Sequence, residues 1–148
     1  MSGSAPTPIG LLLAGVARDV GRAFDAALSE AGGSRPTWLV LLALKSRPSA
    51  NQRELAAAVG IQDATLTHHL NGMEADGLLT RHRDPTNRRV HVVELTAAGE
   101  EAFHRLRAVA HAYDKRLGAG FTEPDQATLR VLLRRLRANV AEPVDLNL

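Results

Sequence analysis

The sequence lacks cysteine and has few aromatic residues, which make up 3% of its 148 residues. Without cysteine the chain has no disulfide framework, no thiolate zinc site and no regulation by thiol oxidation. The scarcity of aromatic residues, with recurring Ala, Leu and Arg, favours helix over sheet. Hydrophobic residues still make up 45% of the chain. That is enough for one domain with a core, alone or with a dimerisation extension.

Long apolar segments are also missing. The longest apolar run near the start, Leu11–Val16, is too short to span a membrane and is interrupted by Gly15. No basic segment followed by an apolar one opens the sequence as a signal peptide would. We therefore expect a soluble, cytoplasmic protein with no membrane partner.

Motifs that mark common enzyme classes are absent as well. The sequence has no P-loop, no G-x-S-x-G, no G-x-G-x-x-G and no nucleophilic cysteine. We therefore expect neither an enzyme nor a cofactor. His104 and His111 are seven residues apart on one face of a long predicted helix. Without cysteine, an H-E-x-x-H motif or an acidic–histidine cluster, surface histidines are the simpler interpretation, and no metal site is predicted.

Positive charge is clustered rather than abundant, because the formal net charge is only +2. Binding to a polyanion requires local positive charge on one surface rather than a large total. One cluster places four arginines within nine positions, opposed there only by Asp84: Arg81, Arg83, Arg88 and Arg89. A second cluster near the C-terminus contains Arg130, Arg134, Arg135 and Arg137.

Hydrophobic periodicity predicts two helices in the first third of the chain. Residues 1–8 are small, polar and proline-containing, which indicates a disordered tail. Residues 9–31 form an amphipathic pattern that ends at two glycines. A second helix begins after Ser34, with Pro36 in its first turn, and ends before Pro48. This second helix is apolar on most sides, so we expect it to be central.

Two short helices joined by a tight turn follow. Asn51 and Glu54 have the spacing of a capping box, and Gly60 is placed to end that helix. Asp63 is predicted to cap the next helix, which ends at Gly77. The apolar stripe of this fourth helix is Leu66, Leu70 and Met73. Such a pair of helices is a helix-turn-helix.

The pattern then changes to that of a hairpin followed by two more helices. Residues 78–83 and 90–95 are rich in alternating and β-branched residues, and a turn sequence, Asp84–Asn87, lies between them. Thr96 is placed to cap a long helix, and Thr122 to start a last one. A helix-turn-helix followed by a basic hairpin is a winged helix.

The predicted fold class is therefore mainly α (α+β), a winged helix-turn-helix lobe with flanking dimerisation helices. We expect one domain over 9–141, with the DNA-binding lobe at 34–95 and a C-terminal tail at 142–148. The long helices are more apolar than so small a core requires, which indicates burial against a second copy. The dimerisation helices would be 9–31, 122–141 and part of 96–118.

Several stretches, in this order, carry a resemblance to a known family. They are Arg53–Ala56 with Val59-Gly60, Thr65–Leu70 running through Met73–Leu79, and Asp84–Arg89 running through Val93–Gly99. They resemble the positioning helix, the recognition helix and the wing of the MarR family of bacterial regulators, and the similarity covers roughly Ile9–Val140. The resemblance implies a homodimer that binds double-stranded DNA, represses its own operon or a neighbouring gene, and is released by a small aromatic or phenolic ligand.

The outward face of the fourth helix supplies the candidate base-reading residues, since the start of a recognition helix approaches base edges in the major groove. Hydroxyl, amide and imidazole groups can hydrogen-bond those edges. The alternative is a plain solvated face. The candidates are Gln62, Asp63, Ala64, Thr65, Thr67, His68 and Asn71.

This helix differs from the family pattern in its charge. The sequence has no Lys or Arg between Arg53 and Arg81, whereas the family usually has Arg around the positions of His68 and Gly72. Affinity for DNA depends on phosphate contacts, so the wing arginines must supply most of it.

The wing also departs from the family at one position. Arg88 and Arg89 are placed to enter the minor groove or contact phosphate. The family pattern has Asp where Asn87 stands, so the ion pair that would hold a wing arginine is missing. The alternative is an ordinary solvated hairpin tip.

The resemblance also implies a ligand pocket between the dimer helices and the DNA-binding lobe. The alternative for each apolar candidate is a place in the core. An alternative function, favoured by the arginine-free fourth helix, is a winged-helix protein-interaction or anti-repressor module with weak DNA binding. The pocket candidates are Leu13, Val16, Arg18, Phe24, Trp38, Leu42 and His69.

Overall fold

The computed structural model describes residues 5–141. The predicted tails are 1–8 and 142–148. Residues 1–4 and 142–148 lie outside the described residues, and residues 5–8 have no regular secondary structure. The predicted winged helix-turn-helix fold is confirmed. In chain order the elements are α1 (Ile9–Glu30), α2 (Arg35–Ser46), β1 (Ala50–Asn51), α3 (Gln52–Val59), α4 (Asp63–Ala75), β2 (Leu79–Arg83), β3 (His91–Leu95), α5 (Ala97–Leu117) and α6 (Glu123–Ala141).

The chain divides into two compact units, 1–113 and 114–148. The core of the first unit is built around α2, which buries Trp38, Val40, Leu41 and Leu44. Trp38 stacks on Phe103 of α5 with ring centroids 5.7 Å apart. The other buried apolar residues come from α1, the helix-turn-helix, the sheet and α5: Leu28, Ala50, Leu55, Leu66, Leu70, Met73, Leu79, Val93, Ala102 and Leu106.

Side-chain capping fixes the first helix of the helix-turn-helix, α3, but not the second, α4. The predicted capping box is present, with the Asn51 side chain accepting from the Glu54 N–H and the Glu54 side chain accepting from the Asn51 N–H. Gly60 ends α3 in the left-handed region with φ 71°, as predicted. The expectation that Asp63 caps α4 is wrong, because Gln62 precedes the helix and Asp63 is its first residue. Its carboxylate there still complements the positive end of the helix dipole.

The three strands form an antiparallel sheet in the order β1-β3-β2. The predicted hairpin pairs Leu79 with Leu95 and Arg83 with His91. The strand β1 was not predicted from the sequence; its two residues pair with the other edge of β3, Ala50 opposite Val93. The strand directly precedes α3 and so attaches the helix-turn-helix to the base of the wing.

The N-terminal helix contacts α5 through its second half. The Tyr113 hydroxyl donates a 2.6 Å hydrogen bond to the Val20 carbonyl, and the Phe24 ring lies 5.0 Å from the Tyr113 ring. The first half of α1 instead leaves Ile9, Leu11, Leu12, Leu13 and Val16 exposed. None of the helices between residues 5 and 141 is long and apolar enough to cross a membrane.

The second unit contains α6. The predicted start at Thr122 is confirmed, because the Thr122 hydroxyl accepts from the Asp125 N–H and the Asp125 carboxylate accepts from the Thr122 N–H. Hydrogen bonding to the Asp125 carboxyl, from the Thr122 N–H first and then from the Thr122 side chain, holds its pKa below the ordinary value. No residue of α6 is buried. Its exposed large apolar residues are Leu129, Val131, Leu132, Leu133 and Val140.

Candidate nucleic-acid interface

The fourth helix, α4, presents the predicted face to solvent. Its inward stripe, Leu66, Leu70 and Met73, is buried as expected. Of the seven candidate residues, only Thr67 is half-buried, and the other six are exposed: Gln62, Asp63, Ala64, Thr65, His68 and Asn71. The exposed residues near the start of the helix are those that could reach base edges in a major groove.

Thr67 joins the two helices of the helix-turn-helix. The Gln52 amide of α3 donates a 2.6 Å hydrogen bond to the Thr67 hydroxyl oxygen. The Thr67 hydroxyl in turn donates to the Asp63 carbonyl at 2.9 Å. Its single proton is therefore used within the protein. Gln52 was not among the predicted residues, because residues 52 and 67 are brought together only by the turn between the helices.

Arg81 of β2 is directed toward α4 rather than into solvent. Its Nε donates to Oε2 of Glu74 at 2.6 Å, and its Nη2 donates to Oδ1 of Asn71 at 2.5 Å. The side chain is only 20% exposed. The structure thus pairs one of the four predicted wing cations with a carboxylate of α4, a partner that the sequence spacing did not reveal.

The turn of the wing is held by its own polar side chains. The hydroxyl and the N–H of Thr86 both donate to Asp84 Oδ1 at 2.7 Å, and they hold the pKa of this carboxyl below its ordinary value. The Arg89 N–H donates to Asn87 Oδ1 at 3.2 Å. The Arg83 guanidinium donates to the Arg88 carbonyl at 3.2 Å and so supports the tip from within. Asn87 therefore serves the backbone of the turn.

Arg88 and Arg89 are the exposed cations of this tip. Within residues 5–141, no hydrogen bond or ion pair engages either guanidinium group. Of the four wing arginines, these two are therefore available to a polyanion without the loss of an existing contact.

A cleft separates the wing from the start of both helices. We call it the wing cleft, and it has a volume of about 530 Å³. On the helix side it is lined by residues at the start of α3 and α4, and on the wing side by residues from the hairpin turn to the start of β3. The lining residues are Asn51, Gln52, Arg53, Asp63, Asn87, Arg89, Val90 and His91.

The predicted ligand-pocket residues do not gather around one cavity. Arg18 lines a cavity of about 440 Å³ on α1, with Gly21, Asp25 and Arg35 among the other lining residues. The other six candidates do not line it. Trp38 and Phe24 pack in aromatic pairs, His69 is half-buried beside His68, and Leu13, Val16 and Leu42 are exposed.

No group of three or more metal-binding side chains occurs between residues 5 and 141. Both histidines that were weighed as metal ligands, His104 and His111, are exposed on α5. The ring of His104 lies edge-on to Phe103 with centroids 5.4 Å apart.

The sequence is similar to that of known regulators. A model of the MarR family matches residues 34–91. The HTH-type transcriptional repressor Mb2911 of Mycobacterium bovis is 30% identical over 129 residues, which cover 87% of this chain and 93% of that protein. The HTH-type transcriptional regulator BilQ of Clostridium symbiosum is 27% identical over 109 residues, 74% of this chain and 76% of that one.

Solved structures of similar proteins have the same fold. The transcriptional repressor CouR, bound to a 23-mer DNA duplex, superposes with a TM-score of 0.80 and 25% identity, over 95% of this chain and all of that one. The PcaV transcriptional regulator of Streptomyces coelicolor, in complex with its natural ligand, gives a TM-score of 0.79 and 26% identity over 96% of this chain. That match covers 100% of the PcaV chain.

Proposed function

Because this chain belongs to the MarR family of transcriptional regulators, we propose that it is a homodimeric repressor that binds a pseudo-palindromic operator and responds to a small aromatic or phenolic ligand. The observation that carries the proposal is the exposed face of α4 beside the two unengaged arginines of the wing. Such a regulator acts on DNA in the cytoplasm. The family consists of regulators, and we propose no catalytic activity.

The contacts divide the site residues into two groups. We propose that the exposed residues around the start of α4, Gln62–Thr65, together with His68, read bases. Arg88 and Arg89 bind phosphate or the minor groove. The Asn71 amide remains a donor toward DNA while its oxygen accepts from Arg81. Thr67, Arg81 and Arg83 act by holding the helices and the wing in place.

The proposed dimer rests on exposed apolar faces. A row of large apolar side chains at the start of α1 and another along α6 are exposed in the single chain. Contiguous apolar surface of this kind usually marks an interface, and most soluble oligomers are symmetric homodimers. We propose that both rows are buried against a second copy, and that 9–31, 122–141 and part of 96–118 are the dimerisation helices.

The proposed effector would place its polar group near Arg18. This guanidinium has no hydrogen bond or ion pair within residues 5–141, whereas Arg35 in the same cavity is held by Asp25 at 2.7 and 2.9 Å. A free arginine suits a carboxylate or a phenolate. The similar PcaV regulator has been solved with its natural ligand, which supports a ligand-responsive role.

Footprinting and a gel shift of the DNA upstream of the gene test this function. We expect nanomolar binding and a protected pseudo-palindrome with half-sites about one helical turn apart. Micromolar binding without a protected site would instead favour the alternative, a winged-helix module for protein interaction or anti-repression. The feature that supports this alternative is the absence of Lys and Arg from α4, which carries the acidic residues Asp63 and Glu74.

A further inference from the structure

We propose that the wing cleft is the seat of one sugar-phosphate strand of the DNA, and that Arg53 of α3 is a phosphate-binding residue on its helix side. The inference rests on the proposed DNA-binding function and assigns a contact that lies outside both α4 and the wing arginines. The occupant is the strand that separates the major groove from the neighbouring minor groove.

The geometry of the duplex requires a strand at this place. The major groove is about 12 Å wide and admits a helix, and the minor groove is about 6 Å wide and admits an arginine from a wing. One sugar-phosphate strand runs between two adjacent grooves. If α4 lies in the first groove and Arg89 enters the second, that strand must pass between them. The wing cleft lies there, between Asp63, the first residue of α4, and the wing segment from Asn87 to His91.

The charges of the cleft suit a phosphate strand. Arg53 and Arg89 stand on opposite sides of it, both are exposed, and neither guanidinium is engaged within residues 5–141. His91 adds an exposed imidazole donor on the wing side. The carboxylate of Asp63 is the one acidic group among the lining residues, and it would repel phosphate.

Arg53 has a special position in the charge pattern of the chain. It is the last Lys or Arg before Arg81, so it is the cation nearest in sequence to the start of α4, which has no Lys or Arg of its own. It lines the cleft together with Asp63, so its positive charge offsets the repulsion of phosphate by that carboxylate. An arginine on α3 that binds phosphate fixes the position of α4 on the duplex without reading a base.

The lining of the cleft argues against the aromatic effector as its occupant. Val90 is the only apolar side chain among its eight lining residues. Small-molecule sites are mostly apolar and enclose their ligand. A polar, open cleft with cations on both sides suits a charged strand instead.

The test measures fluorescence anisotropy of a random-sequence duplex between about 50 and 200 mM salt, a range over which phosphate contacts change affinity strongly. Each phosphate contact contributes about 0.9 to the slope of log K against log salt. We expect Arg53→Gln to lower the slope by about that amount, and Arg53→Lys to keep it. Asp63→Asn should instead tighten binding to the duplex, because it removes the carboxylate that repels phosphate.

Arg107→Gln is the matched control, because Arg107 is an exposed arginine of α5 that does not line the cleft. It removes the same charge and should leave the slope unchanged. A second measurement uses the footprinted operator with one neutral methylphosphonate in the strand between the major-groove and minor-groove contacts. On this duplex we expect Arg53→Gln to bind as well as the unaltered protein.

Two outcomes would overturn the assignment of the wing cleft as a phosphate-binding site without contradicting the proposed function. In the first, the unaltered protein binds DNA and Arg53→Gln keeps its full slope. In the second, Arg107→Gln loses as much slope as Arg53→Gln, which would indicate a long-range charge effect and no contact. A chain that binds no duplex at any of these salt concentrations would overturn the seat and the proposed function together.

Discussion

Arg81 of β2 and Glu74 in the last turn of α4 form an ion pair with 2.6 Å between Nε and Oε2. It is more protected than the other three ion pairs of residues 5–141, since Arg81 is 20% and Glu74 39% exposed. The same guanidinium also binds Asn71. One side chain of the wing thus fixes two residues of α4, and we infer that it sets the angle between the two DNA-binding elements.

This pairing predicts different effects for two wing arginines. Arg81→Gln should lower the preference for operator over random DNA about tenfold, a change of about 1.4 kcal/mol, while the salt slope stays the same. Arg88→Ala should weaken binding to both DNAs and lower the slope by about 0.9, because its free guanidinium is available to phosphate. Fluorescence anisotropy of both variants on operator and random DNA, over a range of salt concentrations, gives the operator preference and the salt slope of each.

Glu74→Gln is the check on this interpretation, because it removes the charge that holds Arg81. It should lose operator preference as Arg81→Gln does. A large fall in salt slope for Arg81→Gln would show that Arg81 contacts phosphate, against the role inferred from its contacts.

Thr67 provides a second prediction, in which stability and recognition separate. Thr67→Val keeps the shape of the side chain but removes the hydroxyl that binds Gln52 and the Asp63 carbonyl. We expect the free energy of unfolding to fall by about 1 kcal/mol, measured by urea denaturation. Gln52→Ala should cost less in the Thr67→Val background than alone, because the two residues share one hydrogen bond.

His68→Ala serves as the contrast for Thr67, since His68 is exposed on the same helix. It should leave stability unchanged and reduce discrimination at one or two base pairs. If Thr67→Val instead kept its stability and lost discrimination at one or two base pairs, Thr67 would be a base-reading residue.

The wing turn gives a prediction for pH. Hydrogen bonds from the Thr86 hydroxyl and N–H lower the pKa of Asp84 from its ordinary value of 3.8. The ionised carboxylate therefore stabilises the turn above that ordinary value, and the stabilisation is lost as the pH falls through the lowered pKa. Thr86→Val should raise the Asp84 pKa toward 3.8 in an NMR titration of its carboxyl carbon. An unchanged pKa would show that the hydroxyl does not bind Asp84 in solution.

The apolar face of α6 tests the dimer. Leu132 is 46% exposed in the single chain. Leu132→Glu should shift the chain from dimer to monomer in light scattering, because a charge is costly in an apolar interface. Ala138→Glu is the matched control, since Ala138 is exposed and helical spacing puts it about 120° around α6 from Leu132, on the side away from Leu129, Leu133 and Val140. Equal behaviour of the two variants would argue against this face as the interface.

The sequence predicts those parts of the fold that depend on local signals. The capping box of Asn51 and Glu54, the left-handed Gly60 and the turn after Asp84 each need only residues a few positions apart. The buried stripe of α4 follows from helical periodicity. Such features are therefore predictable from the sequence alone.

Features that depend on how the helices and strands pack could not be predicted from the sequence. The strand β1 has two residues, too few for a periodic pattern. The partners of Arg81 and of Thr67 lie on other elements, and their side-chain directions follow only from the packed fold. The sequence therefore grouped Arg81 with the free wing cations by spacing alone. Arg53 lies apart from that cluster in the chain and approaches it only across the wing cleft.

The most direct test of the central claim, that α4 and the wing together recognise a specific DNA site, is the ratio of two dissociation constants. One is measured on the footprinted operator and the other on a scrambled duplex of the same composition, at physiological salt. We predict that the operator binds at least about 10³-fold more tightly, as specific regulators do. Equal affinity for the two duplexes would contradict sequence-specific recognition by this winged helix.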